Sequence, residues 1–135
     1  MMDELLTDFT GLEKHVKDCG LPYLEAVIDY YRVLGEQQGF TVAKDASVIK
    51  NAHNFGKIEL IWVEPNTAFI KEFGTLADIY QHLWKIMILQ PAHTVILLSG
   101  NSNCKPEKIK QIVEKTPQLK KTKFTILDIT KHKKL

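Results

Sequence analysis

The sequence predicts an α/β protein, a three-layer sandwich with a mixed central sheet and helices on both faces. Three observations lead there: a helical apolar stripe in "LPYLEAVIDYYRVLGEQQGF", two alternating strand segments at residues 57–64 and 67–73, and the wholly apolar run "HTVILLSG". A three-strand meander followed by strand–helix–strand crossovers requires both antiparallel and parallel pairing, with helices left to cover the two faces.

The elements follow in order. In the first helix Leu24, Val27, Ile28, Tyr31 and Leu34 share one face, with Pro22 at the start and Gly39 past the end. "FTVAKDASVIKN" reads as a strand, and the next two segments read as a hairpin because β-branched and aromatic residues alternate with charges. "TLADIYQHLWKIMIL" carries Leu76, Ile79, Leu83, Ile86 and Met87 on one stripe, with Thr75 and Asp78 as a box-like start. "HTVILLSG", bounded by Pro91 and Gly100, has the composition of a central strand covered on both sides. A helix "PEKIKQIVEKT" and a strand "KFTILDIT" complete the order α-β-β-β-α-β-α-β. A purely alternating dinucleotide-binding arrangement fits less well, since three strands run together and no Gly-rich turn is present.

The chain has 135 residues, 44% of them hydrophobic and 25% charged, enough for one ordinary core and a single domain over 1–135. The acidic start "MMDELLTDFTGLEKH" lacks the basic and apolar regions of a signal peptide, and no apolar run approaches bilayer length. Cys19 and Cys104 have no Cys-x-x-Cys spacing, so neither a disulfide framework nor a thiolate zinc site is indicated. The expectation is a soluble, cytoplasmic protein without a membrane partner. Charge is unevenly placed: residues 1–100 carry 8 Lys+Arg against 13 Asp+Glu, a balance of −5, whereas residues 101–135 carry 10 against 3, a balance of +7. The lysines Lys120, Lys121, Lys123, Lys131, Lys133 and Lys134 either attract a nucleic-acid polyanion through counterion release or form a solvated tail.

The hairpin holds the candidate chemistry. Closing it at Pro65–Asn66 pairs Glu64 with Thr67, Ile61 with Ile70 and Glu59 with Glu72, and strand alternation puts Glu59, Ile61, Val63, Ala68, Ile70 and Glu72 on one side. Opposed like charges are unfavourable unless a cation or water lies between them. Mg²⁺ is one such cation and Lys57, two residues before Glu59, is another; hydration at an open hairpin end is the third answer.

The element order and this hairpin together resemble the restriction-endonuclease-like superfamily, the PD-(D/E)xK nucleases, especially compact archaeal-type members. The likeness runs from residue 22 to about residue 100, with the last helix and strand as an extension of an αβββαβ core. "KIELIW" is similar to the family strand that carries the first acid, which puts Glu59 in that place. "AFIKEFG" is similar to the next strand, which puts Ile70 at the second acid and Glu72 at the lysine; Glu25 corresponds to the additional helical acid. Ile70 cannot ligate a cation and Glu72 cannot supply a positive charge, so Lys57, Lys44 or Lys71 would have to stand in. For an active member the resemblance implies phosphodiester hydrolysis: Glu59 and Glu72, with or without Glu25, would hold Mg²⁺, and Lys57 would orient the attacking water. The expectation is a nucleic-acid-associated domain with lost or weakened catalysis. The alternatives are an Mg²⁺-dependent DNA nuclease and a non-catalytic interaction module or homo-oligomer joined through a sheet edge.

The remaining chemistry-bearing residues read as structural. Cys104 precedes a helix N-terminus, where a thiol can be activated, but no histidine neighbours it in sequence. The "SGNSNCK" loop lacks the ending of a P-loop, and His15, His53, His82 and His93 lack a metal spacing. Periodicity assigns Trp62, Trp84, Phe69, Phe73 and Tyr80 to the core between hairpin and helix rather than to a base-stacking surface, and Tyr30 and Tyr31 to packing.

Overall fold

The computed structural model of the chain describes residues 2–72, 76–99 and 105–135. Two short helices, α1 (Met2–Leu6) and α2 (Phe9–Asp18), precede the long α3 (Tyr23–Gln37). Then come β1 (Val42–Lys50), β2 (His53–Trp62), β3 (Thr67–Glu72), α4 (Leu76–Leu89), β4 (His93–Leu98), α5 (Pro106–Lys115), a 3₁₀ turn (Pro117–Leu119), β5 (Lys123–Asp128) and β6 (Lys133–Lys134). Among the described residues the six strands form one sheet in sequence order. The β1–β2, β2–β3 and β5–β6 pairs are antiparallel, and β3–β4 and β4–β5 are parallel. No helix among the described residues is long and apolar enough to cross a membrane.

Side-chain alternation divides the core into two clusters. Leu60, Trp62, Phe69, Val95, Leu97 and Leu127 pack with Leu6, Leu12, Val27 and Tyr31, so α1–α3 cover one face. Ala68, Ile70, Ile96, Leu98 and Ile126 pack with Ile79, Leu83 and Ile86 of α4 and Ile109 of α5 on the other. The arrangement is the expected α/β sandwich of three layers. β4 is buried at every position, as its unbroken apolar run requires. At one end of that strand His93 bonds Thr125 at 2.7 Å, and burial, reinforced by nearby Lys123, lowers the affinity of its ring for a proton.

The β2–β3 turn departs from the expected register. Trp62 pairs with Thr67 and Ile61 with Ala68, so the loop is Val63–Asn66 and the pairing is shifted by two residues. The turn is fastened to the start of β1. Val63 donates its N–H to the Thr41 carbonyl at 2.9 Å, and the Glu64 carboxylate accepts from the Thr41 backbone at 2.5 Å and from its hydroxyl at 2.6 Å. Val63 thereby continues the β1–β2 register, and the turn is closed locally by the Asn66 N–H donating to the Val63 carbonyl at 3.0 Å, with Asn66 at φ +49°. Continued along the strands, the observed register sets Glu59 opposite Ile70 and Glu72 opposite Lys57, so the expected direct pairing of the two acids is not made. A two-residue shift preserves which side each residue faces.

Candidate functional site

Glu59 sits on β2 with its carboxylate turned toward α4. Its Oε1 lies 3.7 Å from Nε2 of His82, and both side chains are mostly buried. Its Oε2 is buried and has no hydrogen-bond partner among the described residues. Among the described side chains the neighbour of this acid is an imidazole from α4; the side chain of Glu72, the acid expected from β3, lies outside them.

The other expected members of the site stand elsewhere. Glu25 is exposed in the first turn of α3, which packs on the Leu60, Trp62 and Phe69 face through contacts such as Trp62 Nε1 donating to the Tyr31 carbonyl at 3.0 Å. Glu59 meets α4 on the opposite face, so the thickness of the sheet separates it from Glu25. A joint ligand set of Glu25 and Glu59 is not assembled. Ile70, at the position of the second acid, is fully buried against the α4 layer. Glu72 pairs through its backbone with Leu98, and its side chain lies outside the described residues, as do Phe73 and Cys104. Lys57 is exposed, and among the described residues no ion pair joins it to Glu59. Its carbonyl instead accepts from Lys85 Nζ at 3.1 Å.

Mg²⁺ prefers oxygen ligands in near-octahedral order, usually one or two carboxylates with waters. One carboxylate beside an imidazole does not make that donor set, and among the described residues no group of three His, Cys, Asp or Glu side chains is placed to hold a metal. The described side chains supply one of the two expected ligands, Glu59, and that of the other, Glu72, lies outside them.

The C-terminal lysines are on the surface, as their composition demands. Lys120 and Lys121 follow the 3₁₀ turn, Lys123 opens β5, and Lys131, Lys133 and Lys134 lie around the β5–β6 turn; all are exposed. Lys134 donates to Asp3 at 2.9 Å, a bond that holds the Asp3 carboxyl below its ordinary range. This basic edge lies against the acidic opening of the chain, and Phe9 stacks on His132 with centroids 5.5 Å apart.

The aromatic residues divide differently from the expectation. Trp62 and Phe69 are fully buried and Tyr31 packs beside them, but Trp84 is 60% exposed and Tyr80 50%. The difference has a geometric cause. The buried stripe of α4 is Ile79, Leu83 and Ile86, and Tyr80 and Trp84 each stand one residue past it, rotated about 100° toward solvent. With Phe55 and Gly56 of β2, and Gln81 and Lys85 of α4, Trp84 lines a groove of about 450 Å³ between hairpin and helix. Gly56 has φ +106°, and a Cβ there would stand 2.9 Å from Lys85 Cε, so glycine both permits the turn of the chain and leaves room for Lys85. Searches of protein-family models, curated proteins and solved structures find no match to the chain.

Proposed function

We propose that the chain is a nucleic-acid-associated domain of nuclease-like fold in which phosphodiester hydrolysis has been lost. The observation that carries the reading is the edge of exposed lysines around β5 and β6, a surface suited to phosphate neutralisation. The nuclease-like fold rests on analogy of element order: a helix, an antiparallel meander, a crossover helix and a parallel strand. Loss of catalysis is supported by Ile70 buried in the place of the second acid and by Glu59 having His82 as its neighbour.

The test is titration of labelled duplex and single-stranded DNA at several salt concentrations, with and without Mg²⁺ or Mn²⁺. The logarithm of the affinity should fall linearly with the logarithm of salt, with about 0.9 of slope for each duplex phosphate neutralised, and the DNA should remain intact. Absence of salt-sensitive binding to either form overturns the assignment. Metal-dependent cleavage abolished by Glu59→Ala would instead make the protein an active nuclease.

A further inference from the structure

We infer that the groove between α4 and the β1–β2 hairpin is a docking surface for single-stranded nucleic acid, with Trp84 as the principal base-stacking platform. The inference rests on the nucleic-acid reading above and adds to it a second surface, distinct from the lysine edge, and a preference for one form of the polymer.

Trp84 and Tyr80 lie one turn apart on the solvent side of α4, the spacing that brings side chains over one another on a helix surface. Phe55, 38% exposed, forms the opposite wall from the hairpin, with the His53 ring against it at 6.4 Å. Trp84, 60% exposed, forgoes more than half of the apolar burial that ordinarily holds such a ring in a fold. Successive unpaired bases offer flat faces to such rings, whereas bases stacked within a duplex do not.

Charge selects a polyanion over the other occupants. Among the described residues that line the groove none is acidic, Lys85 lies within it, and Lys57 on β2 and Lys50 on β1 are exposed. The Lys85 ammonium is held over the hairpin backbone by its bond to the Lys57 carbonyl, at the rim where a phosphate beside a stacked base could meet it. Gln81 adds an amide able to donate to and accept from a base edge. A second copy of this chain docked about a two-fold axis would bring Lys85 and its neighbours toward their own images, a like-charge contact that a nucleic-acid strand relieves.

The chain has two tryptophans, and Trp62 is fully buried, so quenching of intrinsic fluorescence by oligo(dT) reports on Trp84. The experiment combines that signal with the anisotropy of labelled oligo(dT) and of a duplex of equal length, for the wild type, Trp84→Ala and Trp84→Phe. The expected result is quenching on oligo(dT), an affinity for it lowered about tenfold by Trp84→Ala and largely kept by Trp84→Phe, and duplex affinity unchanged in all three. Trp84 makes few buried contacts, so both variants should fold, with the far-ultraviolet spectrum as the check. If the protein binds both polymers but Trp84→Ala lowers neither affinity, or lowers both equally, the groove is not a single-strand site and the lysine-edge assignment stands. If it binds neither, both assignments fail. Concentration-dependent dimerisation that Trp84→Ala abolishes, in a protein that does not bind oligo(dT), would give the groove to a second copy and overturn the inference.

Discussion

Trp62 is fixed from several sides. Its indole N–H donates to the Tyr31 carbonyl at 3.0 Å, and the rings of Phe69 and Phe40 lie 4.7 and 5.4 Å from it. Gly35 on α3 leaves the space the indole occupies: a Cβ there would stand 2.7 Å from its Cδ1 and 2.9 Å from its Cε2. Alanine is the better helix former by about 1 kcal/mol, so propensity alone favours Gly35→Ala. Overpacking a core typically costs about 1–3 kcal/mol and wins here, because the indole cannot retreat without breaking its hydrogen bond. Gly35→Ala should therefore lower the urea midpoint with an unchanged slope; a midpoint at or above the wild-type value would show that the indole has room to shift. Gly56 poses a different constraint. Its positive φ strains any L residue, so Gly56→Ala should destabilise the protein even if Lys85 swings away from the added methyl.

The α2–α3 pair is joined by a polar clasp in which Asp29 is the shared acceptor. His15 Nε2 lies 2.8 Å from its Oδ2, and Arg32 donates to its Oδ1 at 2.8 and 3.0 Å. Burial pushes the Asp29 carboxyl up, but the hydrogen bonds from Arg32 and His15 outweigh it and hold the group below the ordinary carboxylate range. A carboxyl depressed in the folded state contributes stability above its unfolded value of about 4 and loses it as pH falls through the lower folded value. Asp29→Asn should cost about 1–2 kcal/mol at neutral pH and less in acid, so the thermal midpoints of variant and wild type should converge below pH ~4. Parallel curves across that range would remove the clasp as the cause. The long helices and strands were legible because each carries enough periods of 3.6 or 2 to reveal itself. The short α1 offers barely more than one turn of pattern, and the two-residue β6 offers none. The β2–β3 register was hidden for another reason: a two- and a four-residue closure fit the same residues, and the Thr41–Glu64 contact that fastens the turn joins residues 23 apart. Glu59 was visible as an unusual acid, but its neighbour His82 depended on how α4 lies on the sheet. Trp84 and Tyr80 were legible in principle, since the stripe through Ile79, Leu83 and Ile86 already excludes them.

At the level of the whole molecule, the linear charge asymmetry is partly cancelled by folding. The acidic N-terminal segment lies along the basic C-terminal edge: Asp3 binds Lys134, Phe9 stacks on His132, and Leu6 shares a core cluster with Leu127 and Ile129. The lysines around β5 and β6 are consequently unequal. Lys134 already has an anion, and giving it to a phosphate would leave Asp3 without its ion-pair partner, whereas Lys120 and Lys121 are exposed and have no ion pair among the described residues. For duplex DNA, replacing both Lys120 and Lys121 by alanine should lower the salt slope by about 2, one unit for each phosphate no longer neutralised. Lys134→Ala should leave that slope within error of the wild type while lowering the thermal midpoint at low ionic strength, a difference that salt removes by screening the Asp3–Lys134 pair. The paired readout separates a DNA-binding edge from an intramolecular clamp: if Lys134→Ala changes the slope as much as the other two replacements together, the Asp3 contact yields to phosphate, and the N-terminal helix would have to give up that contact whenever DNA binds.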